Sequence, residues 1–249
     1  MIAVVFKHEV HALFRTPFAW WVLAAVQFLI AYQFLAQIDI FVQYLPKLRG
    51  LAQPPGVTQM VVIPLFGVTA LVLLFLLPVL TMHSFSGERR AGILRLWYSA
   101  PIRLSSLVLG KFCGLMSLNA ALWSLNALMP LTLLWGTALD LGTYTGGLLG
   151  LFLLMMAGTA IGLCFSALSA QPATAAIGTF VSLLVLWLID WASQFEAKAG
   201  LLSQLSMFTH FQRLTRGLLD SFSVAYFLLI TLGALALAVW ALHGDRRAL

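Results

Sequence analysis

The sequence predicts an all-α integral membrane protein with six transmembrane helices. Of its 249 residues, 61% are hydrophobic and only 9% are charged, and the mean hydropathy is +0.98. An average soluble domain carries about 25% charged residues, so this composition excludes a soluble globular protein and a disordered chain. The formal net charge of +6 comes from scattered residues, which argues against a basic patch for nucleic acid.

The spans are predicted from segments that lack Asp, Glu, Lys and Arg. A helix needs about 20 apolar residues to cross the hydrocarbon core. The longest such segment, Leu141–Ile189, holds two spans because Gln171-Pro172 can end one helix and start the next. A single transmembrane domain over residues 1–249 therefore contains spans at approximately residues 18–38, 60–82, 112–134, 146–169, 174–190 and 222–243.

The basic residues predict that both termini are cytoplasmic. Six spans place the two termini on one side of the membrane, and basic residues concentrate in cytoplasmic loops. With the N-terminus inside, the larger basic set faces the cytoplasm: Lys7, Arg15, Arg89, Arg90, Arg95, Arg103, Lys111, Arg246 and Arg247. The smaller set faces outward: Lys47, Arg49, Lys198, Arg213 and Arg216.

Three segments between or before the spans have amphipathic patterns. Met1–Arg15 has apolar residues at helical spacing, which predicts either an interfacial elbow helix or a plain polar leader. Glu88–Tyr98 predicts about three helical turns that end before Pro101. By composition alone, this segment is better explained as an interfacial helix whose positive charge keeps the loop on the cytoplasmic side than as a docking helix for a cytoplasmic partner. Trp191–Asp220 predicts short amphipathic helices at the outer interface.

The motifs of several enzyme and transporter classes are absent from the sequence. Apart from Asp190 at the very end of the fifth, the six predicted spans contain no Asp, Glu, Lys or Arg, which argues against a proton pump and against proton- or sodium-driven transport. There is no HExxH, paired CxxC or GxSxG motif, so we expect no catalytic residue and no metal site. Gly110-Lys111 is followed by Phe112 and lacks the glycine spacing of a P-loop, so we expect the chain to bind no ATP itself.

Two ordered motifs carry a resemblance to a known family. The first motif comprises Glu88-Arg89-Arg90, Gly92, Ile93-Leu94, Ala100-Pro101 and Gly110-Lys111. The second comprises His210-Phe211, Arg213, Arg216-Gly217-Leu218-Leu219-Asp220 and Val224-Ala225-Tyr226-Phe227. With these motifs the chain resembles the permease subunits of type-two ABC exporters, and it looks like their gliding-motility and copper-maturation branch. One departure is Arg95, where the family often has an acidic residue.

The resemblance implies a role for each segment. Glu88–Tyr98 would be the coupling helix, seated on a cytoplasmic ABC ATPase subunit that binds ATP and Mg²⁺; its candidate residues are Glu88, Arg89, Arg90, Gly92, Leu94 and Leu96. Residues 191–220 would be re-entrant helices of an outer gate, with candidates His210, Phe211, Arg213, Arg216 and Asp220. Spans two and five would line the pathway through Phe66, Leu73, Phe180 and Leu184, whose apolar character suits a lipidic or amphiphilic cargo.

The resemblance also implies the assembly and its location. One six-span chain makes half a pathway, so a second permease, identical or paralogous, completes the exporter, and an outer-face accessory protein is a further candidate partner. The location implied is the bacterial cytoplasmic (inner) membrane. We therefore predict the permease subunit of an ATP-driven exporter, with ATP hydrolysis on a separate subunit.

Two alternatives from other classes stay open. One is a membrane-embedded scaffold or assembly protein that recruits a cytoplasmic partner without transport. The other is a membrane enzyme acting on lipids, for which His83, Glu88 and His243 would be candidate polar residues at one interface, although nothing in the sequence ties them together.

Overall fold

A computed structural model describes residues 2–48, 55–99, 103–137, 139–193, 204–218 and 220–248, and all secondary structure in these ranges is helical. The elements are α1 (Ile2–Arg15), α2 (Pro17–Leu48), a π-helical turn (Thr58–Val62) continuous with α3 (Ile63–Thr81), α4 (Ser86–Arg90), α5 (Ile93–Ser99), α6 (Leu104–Leu131) with a 3-10 turn (Thr132–Trp135), α7 (Leu141–Leu168), α8 (Pro172–Ser193), α9 (Met207–Thr215) and α10 (Ser221–Ala248).

Six of the described helices are long and apolar enough to cross a membrane, which agrees with the predicted number. They are α2, α3, α6, α7, α8 and α10. The helices are longer than the predicted spans. The third, α6, begins at Leu104 rather than near residue 112, because Lys111 lies inside the helix as a buried, paired residue. A span start placed after a charged residue was therefore about two turns too late.

The helix α7 is the centre of the bundle and packs against α3, α6, α8, α9 and α10. Glycines on its surface allow this close packing. A Cβ atom added at Gly147 would lie 2.3 Å from the Phe66 ring, and one at Gly162 would lie 2.1 Å from the Thr81 hydroxyl oxygen. Small residues let apolar helices approach closely where lipid supplies no hydrophobic driving force.

Several polar side chains inside the bundle donate hydrogen bonds across helices. The amide of Asn119 on α6 donates to the Thr159 hydroxyl on α7 at 2.8 Å. The Trp123 indole donates to the Leu148 carbonyl at 2.8 Å, and the Tyr144 hydroxyl donates to the Ala127 carbonyl at 2.6 Å. These bonds fasten α6 to α7 and remove the cost of leaving polar groups unpaired in an apolar interior.

The bundle has two chemically different ends. One end, called the basic end below, carries α1, α4 and α5 together with Lys7, Arg89, Arg90, Arg103 and Arg246. The opposite end, called the distal end, carries α9 and the 3-10 turn. The ends of the six long helices alternate between them, as expected for consecutive antiparallel spans.

The prediction of a single helix over Glu88–Tyr98 is wrong. The structure has two short helices, α4 and α5, separated at Ala91–Gly92. Gly92 has a φ of +74°, a conformation that other L-residues rarely adopt. Of the predicted outer segment 191–220, residues 194–203 and 219 lie outside the described residues, as do Ala100 and Pro101 of the first motif.

A test of the α3–α7 packing is the substitution Gly162→Ala. The new Cβ would collide with the buried Thr81 side chain, so we expect the free energy of unfolding to fall by about 1–3 kcal/mol, as for other overpacked cores. Thermal unfolding in detergent measures the change. The matched control is Gly233→Ala on α10, where an added Cβ meets nothing within 4 Å; equal melting of the two variants would contradict the packing argument.

Candidate functional site

The basic end is organised around a buried lysine. Lys111 on α6 is only 2% exposed. Its ammonium donates to Glu88 Oε1 at 2.6 Å and to Glu9 Oε2 at 3.1 Å, and it lies 5.5 Å from the centre of the Phe85 ring. A buried charge is tolerated only when it is paired and hydrogen-bonded. Lys111 therefore joins α1, α4 and α6, and we call Glu9, Glu88 and Lys111 the Lys111 cluster.

Two glycines on α6 bring α1 close enough to complete this cluster. A Cβ atom at Gly110 would lie 2.6 Å from Val5 Cβ, and one at Gly114 would lie 2.6 Å from Glu9 Cγ. Because neither glycine has a side chain, α1 lies directly against α6, with Val5 buried and Glu9 over the ammonium group.

Arg89 forms a second anchor on the other side of α4. Its guanidinium donates to the Ala167 carbonyl at 2.7 Å and to the Ser169 carbonyl at 3.0 Å, and it forms an ion pair with Asp245 on α10. The carbonyls at the end of α7 have no partner within their own helix, and a planar guanidinium can bond several acceptors at once. Arg89 therefore ties α4 to α7 and α10.

Ser166 closes the turn between α3 and α4. Its hydroxyl oxygen accepts from the backbone N–H groups of Phe85 at 3.0 Å and Ser86 at 3.2 Å, and the hydroxyl donates to the Met82 carbonyl at 3.1 Å. The first N–H groups of a helix need such partners. The start of α4 is thus held by a side chain of the central helix.

The opposite side of α4 and α5 is exposed. Leu94 is buried against the bundle, whereas Arg90 and Gly92 are exposed, Ile93 is 44% exposed and Leu96 is 70% exposed. The segment thus offers a basic and apolar surface to the surroundings while its inner side is bonded to α6, α7 and α10. We call Arg90, Gly92, Ile93 and Leu96 the outer face of α4–α5.

At the distal end, His210 occupies a buried position on α9. Its Nε2 lies 2.9 Å from the Gln204 carbonyl, and its Nδ1 lies 3.0 Å from the Ser223 hydroxyl. A carbonyl only accepts, so Nε2 carries the proton and Nδ1 accepts from Ser223. The ring stacks on Tyr226 with 4.3 Å between centroids. Burial lowers the pKa of His210 because it disfavours the charged imidazolium.

The remaining outer-gate candidates surround His210 at the junction of α9 and α10. Phe211 is buried, and its ring lies 3.4 Å from the position of a Cβ at Gly150 on α7. Arg213 and Asp220 form a half-exposed ion pair at 3.8 Å. Arg216 is exposed at the end of α9. The structure therefore brings this predicted set together, although it leaves its gating role a prediction.

The four pathway candidates do not share one surface. Phe66 and Leu73 on α3 are buried inside the chain, whereas Phe180 and Leu184 on α8 are partly exposed. The rings of Phe180 and the exposed Phe75 lie 5.2 Å apart and join α8 to α3. The lining role of the four residues stays a prediction.

A family model described as an ABC-2 family transporter protein matches residues 3–243, which is nearly the whole chain. The chain belongs to the ABC-2 transporter family. It is therefore a multi-pass membrane permease subunit of an ABC transporter, and the family implies an ABC ATPase as its partner. A search of curated proteins found no match.

Sequence reasoning missed four residues that organise the basic end of the permease: Glu9, Lys111 as a buried centre, Ser166 and Asp245. One signal was present for Lys111, because it is the only charged residue between Arg103 and Asp140. Glu9 and Asp245 had no such signal, since they lie 102 and 156 residues from their partners Lys111 and Arg89.

A test of the Lys111 cluster is the substitution Lys111→Met in the permease. It leaves Glu9 and Glu88 close together without a counter-charge, so we expect the free energy of unfolding to fall by about 3 kcal/mol, as when one partner of a buried pair is removed. Chemical unfolding in detergent measures this value. Lys7→Met, at an exposed site on α1, is the control. The double variant Lys111→Met/Glu88→Gln is expected to recover part of the loss, and strict additivity of the two single effects would contradict the pairing.

A test of His210 uses the pH dependence of stability. Because the folded permease lowers the pKa of His210, the unfolded chain binds more protons below the ordinary histidine pKa of about 6.5. The stability is therefore complete above that pH and falls as the pH drops through it. We expect the protection factors of amides in residues 204–218, which are corrected for the intrinsic pH dependence of exchange, to fall between pH 7 and pH 5.5, and His210→Gln to flatten this change. His83→Gln, at an exposed position, is the control; a profile unchanged by His210→Gln would refute the assignment.

Proposed function

We propose that this permease couples ATP hydrolysis on separate ABC ATPase subunits to export of a cargo, and that α4–α5 transmits the movement. The proposal rests on the difference between the two sides of this segment, one bonded to the bundle and the other exposed. On its inner side, Glu88 binds Lys111 and Arg89 binds Asp245 and the end of α7. On its outer side, Arg90, Ile93 and Leu96 are exposed to a partner.

The bonding pattern favours transmission by rigid helices. Moving α4 displaces α6 through Lys111, and it displaces α7 and α10 through Arg89. Breaking a buried ion pair such as Glu88–Lys111 costs several kcal/mol, so α6 would follow α4 rather than detach from it. The hydrogen bonds and the partly exposed ion pair of Arg89 connect α7 and α10 to the same movement. The resulting change is a hinge or shear movement between two packed states.

The finer features of the exporter are part of the same proposal. Both termini and the basic end face the cytoplasm, as the distribution of Lys and Arg favours, and the location is a bacterial inner membrane. A second permease, identical or paralogous, completes the pathway along α3 and α8, and α9 forms the outer gate. An apolar lining favours lipidic or amphiphilic cargo, and the second sequence motif favours the gliding-motility and copper-maturation branch.

The docking surface is tested with Ile93→Asp. Ile93 is 44% exposed, so we expect the permease to keep its stability to within about 0.5 kcal/mol. We expect a loss of at least tenfold in affinity for the ATPase subunit, because a charge would enter an apolar contact. Co-purification and titration of the ATPase subunit onto the permease in nanodiscs measure this affinity. The control is Leu218→Asp at the distal end, where the side chain is 60% exposed.

A second measurement separates an exporter from a scaffold that only recruits a partner. The ATP hydrolysis rate of the ATPase subunit is compared alone, with the wild-type permease and with Glu88→Gln. The exporter hypothesis predicts that the permease changes this rate and that Glu88→Gln abolishes the change while the ATPase stays bound. An ATPase that binds the permease yet hydrolyses ATP at its free rate would favour the scaffold.

A further inference from the structure

The carboxylates at the basic end are engaged within the chain. Glu9 and Glu88 bind the buried Lys111 at 3.1 Å and 2.6 Å, and Asp245 pairs with Arg89. No other Asp or Glu occurs in the segments of this end, which are residues 1–15, 83–111 and 241–249. A carboxylate that is bonded to a buried or half-buried cation is not available to a cation on the surface. The basic end therefore has no internal counter-charges left for its exposed cations.

Exposed cations come from four different helices at this end. They are Lys7 on α1, Arg90 on α4, Arg103 at the start of α6 and Arg246 on α10, and we call these four residues the basic rim. None of them forms an ion pair with a carboxylate of the part of the chain that the structure describes. The positive charge of the basic rim is therefore available to a partner outside the chain.

The position of α4 determines what its outer side meets. On its inner side, Arg89 donates to the carbonyls of Ala167 and Ser169 at the end of α7, and Ser166 of α7 accepts from the first backbone N–H groups of α4. Because α7 is the centre of the bundle, α4 lies across the end of the central helix rather than along the lipid-facing side of the bundle. The exposed side of α4, which carries Arg90, therefore points away from the acyl chains and into the aqueous phase.

Arg103 lies farther out than α4. Lys111, eight residues later on the same helix, is at the level of α4 because it binds Glu88 at 2.6 Å. At a rise of 1.5 Å per residue, Arg103 is about 12 Å from Lys111 along α6, in the direction of the basic end. A partner seated on the outer face of α4–α5 would therefore have Arg103 beside it.

An apolar side chain is exposed next to this charge. Ile93 is 44% exposed and follows Arg90 after the break at Gly92. Protein interfaces combine an apolar centre with a polar edge and are enriched in arginine, and partners present potentials of opposite sign to each other. The outer face of α4–α5 has the apolar centre and a positive edge, so its complement is an apolar surface with a negative edge.

We propose that the ATPase subunit presents acidic side chains around the apolar surface that receives Ile93. Arg90 faces these carboxylates, and the other residues of the basic rim attract the same surface from a longer range. The proposal rests on the proposed function, because it specifies the chemistry that the ATPase offers to α4–α5. An anionic membrane surface is the competing partner for the same charges, and it fits less well because the exposed side of α4 points away from the lipid.

The charge complementarity is tested with Arg90→Glu in nanodiscs of phosphatidylcholine, a lipid without net charge. The kinetics of ATPase binding are measured from about 50 mM to about 500 mM NaCl, over which the Debye length falls from about 14 Å to about 4 Å. We expect the wild-type affinity to fall by about tenfold or more over this range. At low salt we expect Arg90→Glu to slow association by about fivefold or more and to change dissociation by less than about twofold, because charges at the edge of an interface act mainly on the rate of encounter.

Two matched variants separate the charge from other effects. Lys47→Glu changes the net charge of the chain by the same amount at an exposed position on α2, outside the basic end, and we expect wild-type kinetics. Arg90→Lys keeps the charge, and we expect an association rate within about twofold of the wild type. Thermal unfolding in detergent checks that Arg90→Glu keeps the fold. If it does not, Arg103→Glu is the second probe, and we expect it to slow association in the same direction.

The outcomes distinguish this proposal from the proposed function. ATPase binding that Ile93→Asp weakens, but that neither salt nor Arg90→Glu changes, would overturn the acidic complement and leave the coupling role of α4–α5 intact. An ATPase that does not bind the wild-type permease at any salt concentration would refute the proposed function and this proposal with it. An effect of Arg90→Glu that occurs only in nanodiscs containing phosphatidylglycerol would assign the charge to the membrane and overturn the proposal.

Discussion

The buried ammonium group of Lys111 is the interaction on which the basic end depends. A charge that is almost fully enclosed by protein needs opposite charges within hydrogen-bonding distance, and α6 carries no carboxylate of its own. Glu9 and Glu88 supply them from α1 and α4. The electrostatic requirement of one side chain therefore determines where two short helices sit, and it connects the N-terminal helix to the segment proposed to contact the ATPase.

Because α7 lies at the centre of the bundle and also holds α4, it connects the basic end to most of the other long helices. Its glycines let α3 and α9 approach closely, and its last carbonyls and Ser166 hold α4. Close-packed interiors transmit displacement rather than absorb it. A permease built in this way has few places to bend, and the break at Gly92 between α4 and α5 is one of them, because that residue has a positive φ and open space around it.

The exposed surfaces of the permease differ in chemistry according to their depth. The outer face of α4–α5 mixes basic and apolar groups and suits a protein partner. A groove between α7, α8 and α10 is lined mostly by apolar side chains. At the distal end, the buried His210 fastens α9 to α10 without using a charged group. The same six-helix scaffold therefore presents chemically different surfaces at its basic end, along its side and at its distal end.

The sequence by itself determined the fold class, the number of spans and the segment that resembles a coupling helix. These follow from composition and from local patterns, since about 20 consecutive apolar residues are a local property. Only the tertiary structure decided the start of α6, the break at Gly92 and the partners of Lys111 and Arg89. A charged residue looks like the end of a span when its neighbours in sequence are the only information. Whether it is buried and paired depends on carboxylates that folding brings from 102 and 156 residues away, and no local pattern encodes such a contact.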